Sequence, residues 1–183
     1  VVSDRSLVDP VVPRINVFEQ NRRPWHYKTE LIGQEAFTNW FEDRPVSWTC
    51  VPSAKCVGRT HDPLYEENVV ELRPDFDKRQ TSIYQEFKLE PYFRGANIYG
   101  NMYGFSQEPG TLGFIVAFFR NREDRNPVIV KADHPGDNQW HKMIINTQVP
   151  SDIPVNFIKV SIILRSGAKR QALVKSVCVE LEK

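Results

Sequence analysis

The sequence is short of the features that mark most specialised proteins. It has almost no net charge: 24 Lys and Arg stand against 23 Asp and Glu, a formal balance of +1. That balance removes the usual electrostatic case for nucleic acid or an anionic membrane as a partner. Long hydrophobic runs are missing too. No stretch approaches the roughly 18 to 20 apolar residues that span a bilayer, so direct membrane insertion is not expected. The chain opens on Val1-Val2-Ser3 without a secretory signal pattern, which reads as a mature form or a fragment of something longer. Glycine is sparse, at 9 of 183 residues, and there is no internal repeat or low-complexity tract. Cysteine is scarce: the three residues form neither a CxxC pair nor a His/Cys ladder of zinc spacing. Cys50 and Cys56 flank Val51-Pro52-Ser53-Ala54-Lys55. Either they close a short disulfide loop, which would imply an oxidising compartment, or they are two loop thiols. Cys178, inside Val177-Cys178-Val179, reads as a small buried hydrophobe.

Catalytic signatures are equally absent. The chain contains no Gly-x-Ser-x-Gly, HExxH or phosphate-binding-loop pattern. His26, His61, His134 and His141 are scattered. Their only adjacent carboxylates are in His61-Asp62 and Asp133-His134, too little for a catalytic pair or a metal site. Glycoside hydrolysis needs two opposed carboxylates in a cleft, and Glu66, Glu67, Glu71 and Glu86 are candidates only in being acidic. The residues point to a binding domain rather than an enzyme.

What is present is a succession of strand-like runs. Residues 1–30, with Pro10, Pro13 and Pro24 and the stretch Asn21-Arg22-Arg23-Pro24-Trp25-His26-Tyr27, read as an extended, irregular N-terminal arm or linker. Residues 31–183 read as one domain, of a size that can bury a core without staples. Gln34 to Phe41 offers only a weak helical pattern. From residue 68 onward, strands alternate with turn signals. They cover 69–72, 82–89, 95–105, 112–119, 128–130, 140–149, 157–165 and 173–181. Leu112 to Phe119 is apolar on both faces, as in a central strand, and Ile158, Val160, Ile162 and Leu164 share one face. Strands at this density without helices between them predict an all-β fold, an antiparallel β-sandwich. Trp25 and Trp40 lie in loop-like text.

Three stretches carry a resemblance to a known family. They are Ser82-Ile83-Tyr84-Gln85-Glu86-Phe87 with Pro91-Tyr92, Trp140-His141-Lys142 with Val149-Pro150, and Phe157-Ile158-Lys159-Val160-Ser161-Ile162 with the closing run 173–181. Over roughly residues 35–183 the chain resembles jelly-roll carbohydrate-binding modules of the family 4, 9 and 22 kind and related galactose-binding-like domains. In those modules a strand like 82–87 begins the sugar-facing sheet, and the resemblance implies that Trp48 and Trp140 pack in the core. The resemblance implies a jelly-roll β-sandwich, a non-catalytic accessory role on a larger surface, periplasmic or secreted protein, and an oligo- or polysaccharide as partner. It also implies a parent protein that is multidomain or membrane-anchored, and an extracellular or periplasmic location. Two departures stand out. Phe37-Thr38-Asn39-Trp40-Phe41-Glu42 only distantly echoes the usual opening turn. Lys175-Ser176 occupies the place of an acid that helps to hold a structural calcium, so no cofactor is expected.

The most informative strand is 95–105. Period two puts Ala96, Ile98 and Met102 on one face and Asn97, Tyr99, Asn101, Tyr103 and Phe105 on the other. Phenols alternating with amides suit a sugar: a ring stacks on its C–H face and amides reach its hydroxyls. Glycines at 95, 100 and 104 would let a ligand approach the backbone. The candidate ligand-binding residues are therefore Asn97, Tyr99, Asn101 and Tyr103, helped by Trp40 or Arg94. On strand 157–165, Lys159, Ser161 and Arg165 either line a groove or face solvent. The alternative is a structural or protein-interaction sandwich that has lost sugar binding.

Overall fold

The computed structural model describes residues 14–15, 27–33, 37–62 and 67–183, and all structural statements below concern these. They hold strands and two single-turn 3-10 segments and no α-helix. Turn formers follow nearly every apolar alternation, so no segment has the length or period a helix needs. The strands are β1 (Arg14–Ile15), β2 (Tyr27–Ile32), β3 (Trp40–Phe41), β4 (Arg44–Pro45), β5 (Thr49–Val51), β6 (Val57–Asp62) and β7 (Glu67–Leu72). They continue with β8 (Thr81–Lys88), β9 (Asn97–Ser106), β10 (Leu112–Phe119), β11 (Val128–Asp133), β12 (Gln139–Gln148), β13 (Phe157–Leu164) and β14 (Ala172–Glu182).

Two antiparallel sheets face each other. The first runs β12-β9-β14, and β14 pairs on its far edge with β7 at one end and β2 at the other; β6 and β1 extend those two branches. The second runs β11-β10-β13-β8-β5. From β8 onward the chain changes sheet at every connection except the β10–β11 hairpin, as a jelly-roll sandwich requires. β3 and β4 form a small separate hairpin.

The core follows from the alternation. Ile98 and Met102 of β9, Met143 and Ile145 of β12, and Val174, Val177, Val179 and Leu181 of β14 face Ile83, Phe114, Val116, Phe118, Ile158, Val160 and Ile162 of the other layer. Phe93, on the turn before β9, and Trp48, 5.4 Å from the Phe37 ring, close the ends. Gly100 and Gly104 belong to this interior. A Cβ on Gly100 would lie 3.1 Å from the Phe114 ring, and one on Gly104 2.8 Å from a Leu112 methyl. These glycines let core side chains reach the β9 backbone, which corrects the expectation that they make room for a ligand.

Three further expectations change. Residues 27–30 are not an irregular arm: β2 pairs with β14, placing Lys28 opposite Glu182 and Glu30 opposite Glu180, so the domain begins at least as early as Tyr27. The rest of the arm, apart from the two residues of β1, lies outside the described residues, as does Trp25. The disulfide alternative for Cys50 and Cys56 falls, and all three thiols are free. Cys50 packs against the core from β5, whereas the Cys56 thiol turns to Asp75 Oδ1 at 3.6 Å. Finally, residues 37–39 are a turn leading into β3 rather than part of a helix; residues 34–36 are outside the description.

Loop backbone is specified as closely as the core. Gly136 has φ +74° and an added Cβ would sit 2.1 Å from the Pro109 nitrogen, while Gly167 has φ +81° with open space around it. Gly167→Ala should therefore cost only the left-handed strain, about 1 kcal/mol. Gly136→Ala should cost at least twice that, roughly 2 kcal/mol or more, because backbone must also move. Urea titration of the two variants checks this, and equal losses would contradict it.

Candidate functional site

The outer face of the first sheet gathers the side chains singled out on strand 97–105. Ladder pairing sets their neighbours: Asn97 faces Gln148, Tyr99 faces Asn146, Asn101 faces Ile144, Tyr103 faces Lys142 and Phe105 faces Trp140 on β12. On the other side, Glu182, Glu180, Cys178, Ser176 and Leu173 of β14 lie beside Asn97, Tyr99, Asn101, Tyr103 and Phe105. The phenols point outward, as expected, and Tyr99 is 40% exposed.

The aromatic part is broader than β9 alone. Tyr103 and Trp140 lie within 6° of parallel with centroids 5.7 Å apart, an offset pair, and Phe105 tilts against the same indole at 5.7 Å. Trp140 is thus a half-buried residue of the outer face, not a core residue. Its place on β12 follows from the alternation in which Met143 and Ile145 turn inward. Trp140, Lys142, Ile144, Asn146 and Gln148 share the opposite parity, a signal that the alternation of this strand carries by itself. At one end of the strip Gln148 Nε2 donates to Asn97 Oδ1 at 3.0 Å, which orients both amides. In the middle, a depression of about 300 Å³ is lined by Asn101, Tyr103, Lys142, Ser176, Val177 and Cys178. Burial first, then the Glu180 and Glu30 carboxylates, push the Cys178 thiol pKa up, so it stays protonated and unreactive.

Arg94 and Trp40 do not join this depression. Arg94 sits on the turn before β9, beyond the Asn97 end; its carbonyl accepts from Lys183 Nζ at 2.9 Å and its Nε is buried without a partner. Trp40 donates from Nε1 to the Phe37 carbonyl at 2.6 Å and lies under the Arg59 guanidinium, 5.6 Å from the ring centre. Arg59 is opposite Val70, which is level with the inward-facing Val174 and Gly104. Trp40 therefore belongs to the other side of the sheet. The second sheet has its own outer face, where Lys159 Nζ caps the Tyr84 ring at 3.7 Å, Ser161 is buried, and Arg165 pairs with Asp133 at 2.6 Å.

Two groups of side chains resemble metal sites in their spacing, His134/Asp137/His141 and Glu30/Cys178/Glu180, and neither suits an ion. His134 spends both nitrogens on the backbone: Nδ1 accepts from Gly136 N–H at 2.8 Å and Nε2 meets the Gln139 carbonyl at 3.0 Å. Glu180 is already paired with Lys28 at 2.9 Å, and the cluster's thiol is a poor partner for calcium.

His134 does position the strip. Fully buried, it ties the loop that delivers Trp140 and Lys142 onto β12. Burial pushes its pKa below the ordinary value, with the nearby His141 adding to the effect. The unfolded chain then binds more protons below about pH 6.5, so stability should be level above that pH and fall beneath it. Asp75, Asp124 and Asp137 are all lowered by their hydrogen-bonded partners and act only in more acid solution, below about pH 4. Urea midpoints between pH 7.5 and 5 test this; a midpoint that rises toward pH 5 would contradict it.

Comparison with known proteins bears on the fold. The sequence matches no protein-family model and no curated protein. Solved structures do match. One is the enzymatically active domain of tailspike protein 4 of bacteriophage CBA120, with TM-score 0.58, 15% identity and 81% of this chain aligned. This chain spans only 20% of that one. Another is the CBM22-2 xylan-binding domain from Paenibacillus barcinonensis, with TM-score 0.54 and 11% identity over 81% of this chain and 96% of that one. A third is the CBM22-1–GH10 portion of a Clostridium thermocellum endo-1,4-beta-D-xylanase complexed with xylohexaose, with TM-score 0.52 and 14% identity over 83% of this chain and 28% of that one. The fold is that of the jelly-roll carbohydrate-binding modules.

Proposed function

We propose that this chain is a non-catalytic carbohydrate-binding domain, an accessory part of a larger surface, periplasmic or secreted protein. The observation that carries this is the outward strip on β9: Tyr99 open to solvent, Tyr103 offset against Trp140, and the Asn97–Gln148 amides already oriented at one end. Such a face supplies the two things a sugar ring needs, an apolar plane and fixed hydrogen-bonding groups. The xylan-binding and xylohexaose-bound relatives by fold favour an oligo- or polysaccharide as the partner class. Shallow sites of this type bind with micromolar to millimolar constants, on the order of 10⁻⁶ to 10⁻³ M, and gain from neighbouring domains on the same protein. No opposed carboxylate pair faces the depression, so turnover is not part of the reading.

A second placement has one observation behind it. By resemblance the strand 82–87, which carries Tyr84, begins the sugar-facing sheet, and Tyr84 and Tyr99 lie on outer faces of different sheets. The two cannot serve one short ligand. Because the Lys159 ammonium caps the Tyr84 ring, the β9 face offers the more accessible aromatic surface. Replacing both Tyr99 and Tyr103 with Ala should abolish retention on a glycan array while circular dichroism stays unchanged, whereas Tyr84→Ala should retain binding. Loss with Tyr84→Ala alone would move the site to the second sheet, and retention by the double variant would overturn the proposal.

A further inference from the structure

We propose that β12 is the docking edge for a second copy of this chain, the two strands pairing antiparallel about Ile144 into one continuous sheet. β12 is bonded to β9 along one side only, and no described strand pairs with its other side. At ten residues it is the longest open edge strand of the two sheets; β1 has two, β5 three, and β6 and β11 six each. A long open edge is a template for another chain. Hydrogen-bond parity fixes which groups this one offers. Val149, one step beyond the strand, donates to the Ala96 carbonyl at 2.9 Å. Residues of an antiparallel ladder alternate between bonding that neighbour and facing away from it. Thr147, Ile145 and Met143 therefore bond β9, and Lys142, Ile144 and Asn146 turn their N–H and C=O groups to the open side.

The side chains choose the register. With the dyad on Ile144, that residue meets its own copy and Lys142 meets Asn146, so no like charges stand opposite. Ile144 is 50% exposed, and the contact takes its apolar surface out of water. The two Lys142 ammonium groups lie four ladder steps apart, about 14 Å, beyond the screening length at physiological salt. Moving the dyad to any other residue from 142 to 146 sets either Ile144 against a polar side chain or Lys142 against itself. β11 runs beside β12 at this margin and carries the exposed Val128 and Ile129, further apolar surface within reach of the copy. The dyad is perpendicular to the sheet, so both outer faces point the same way. Two Tyr103–Trp140 pairs then lie on one surface.

Sedimentation equilibrium of the whole chain without ligand, from about 5 to 500 µM, tests this independently of sugar binding. The expected result is a reversible dimer with a dissociation constant on the order of 10 to 100 µM, because the interface is small. Ile144→Lys puts two ammonium groups on the dyad, and Ile144→Pro removes an N–H that the fold itself does not use. Each should weaken the dimer by about tenfold or more while circular dichroism stays unchanged. Asn146→Glu faces the partner's Lys142 and should tighten the dimer about threefold at low salt. Phe76→Ser, which removes a fully exposed ring from the turn after β7, should leave it as it is. A monomer throughout the range would overturn the inference. So would a dimer that survives both Ile144 variants, one that Asn146→Glu fails to tighten, or one that Phe76→Ser dissolves. Retention of a glycan by a monomer would leave the sugar-binding reading standing.

Discussion

Strand β14 is paired along both of its edges, and the rest of the molecule is arranged around that constraint. β9 occupies one edge for the whole length of the strand, and β7 and β2 share the other. An eleven-residue strand held this way has a fixed register, and a slip of one residue would turn every side chain to the wrong face. Val174, Val177, Val179 and Leu181 are thereby committed to the core, and Ser176, Cys178 and Glu180 to the outer surface. The register also dictates what β9 presents, because Ile98 and Met102 can be buried only if Asn97, Tyr99, Asn101 and Tyr103 are not. The functional surface is the reverse side of the packing.

Keeping aromatic surface at the edge of water has a cost of about 25 cal/mol per Å² left uncovered. The fold limits that cost by grouping. Trp140 shields parts of Tyr103 and Phe105, leaving one compact patch rather than separate exposed rings. The indole can reach them only because the loop before it is held by a neutral, buried His134 and turned by Gly136. Loop chemistry at residues 134–138 and the shape of the strip on β12 are one structural problem.

The period-two text made the second half of the chain readable in advance. Strands β7 to β14 fall where alternation and turn residues put them, and the inward and outward sets of β9 and β13 follow from parity alone. The failures have physical causes. β2 and β5 owe their existence to partners distant in sequence, β14 and β8, so local pattern could not announce them. Spacing does not say which face a missing side chain leaves vacant, and at Gly100 and Gly104 the Phe114 and Leu112 side chains fill the space. Resemblance puts Trp140 in the core, whereas its own strand places it with Lys142 and Gln148. Cys50 and Cys56 are close in sequence, yet one lies within a strand and the other within a 3-10 turn, and their thiols have different neighbours.

The account depends on which outer face meets the ligand. Amide chemical-shift mapping during titration with an oligosaccharide that the domain retains addresses this directly. Perturbations concentrated on Asn97–Phe105, Trp140–Gln148 and Lys175–Glu180 are the predicted result. Perturbations confined to Tyr84, Ile115, Lys159 and Ser161, on the opposite sheet, would contradict it.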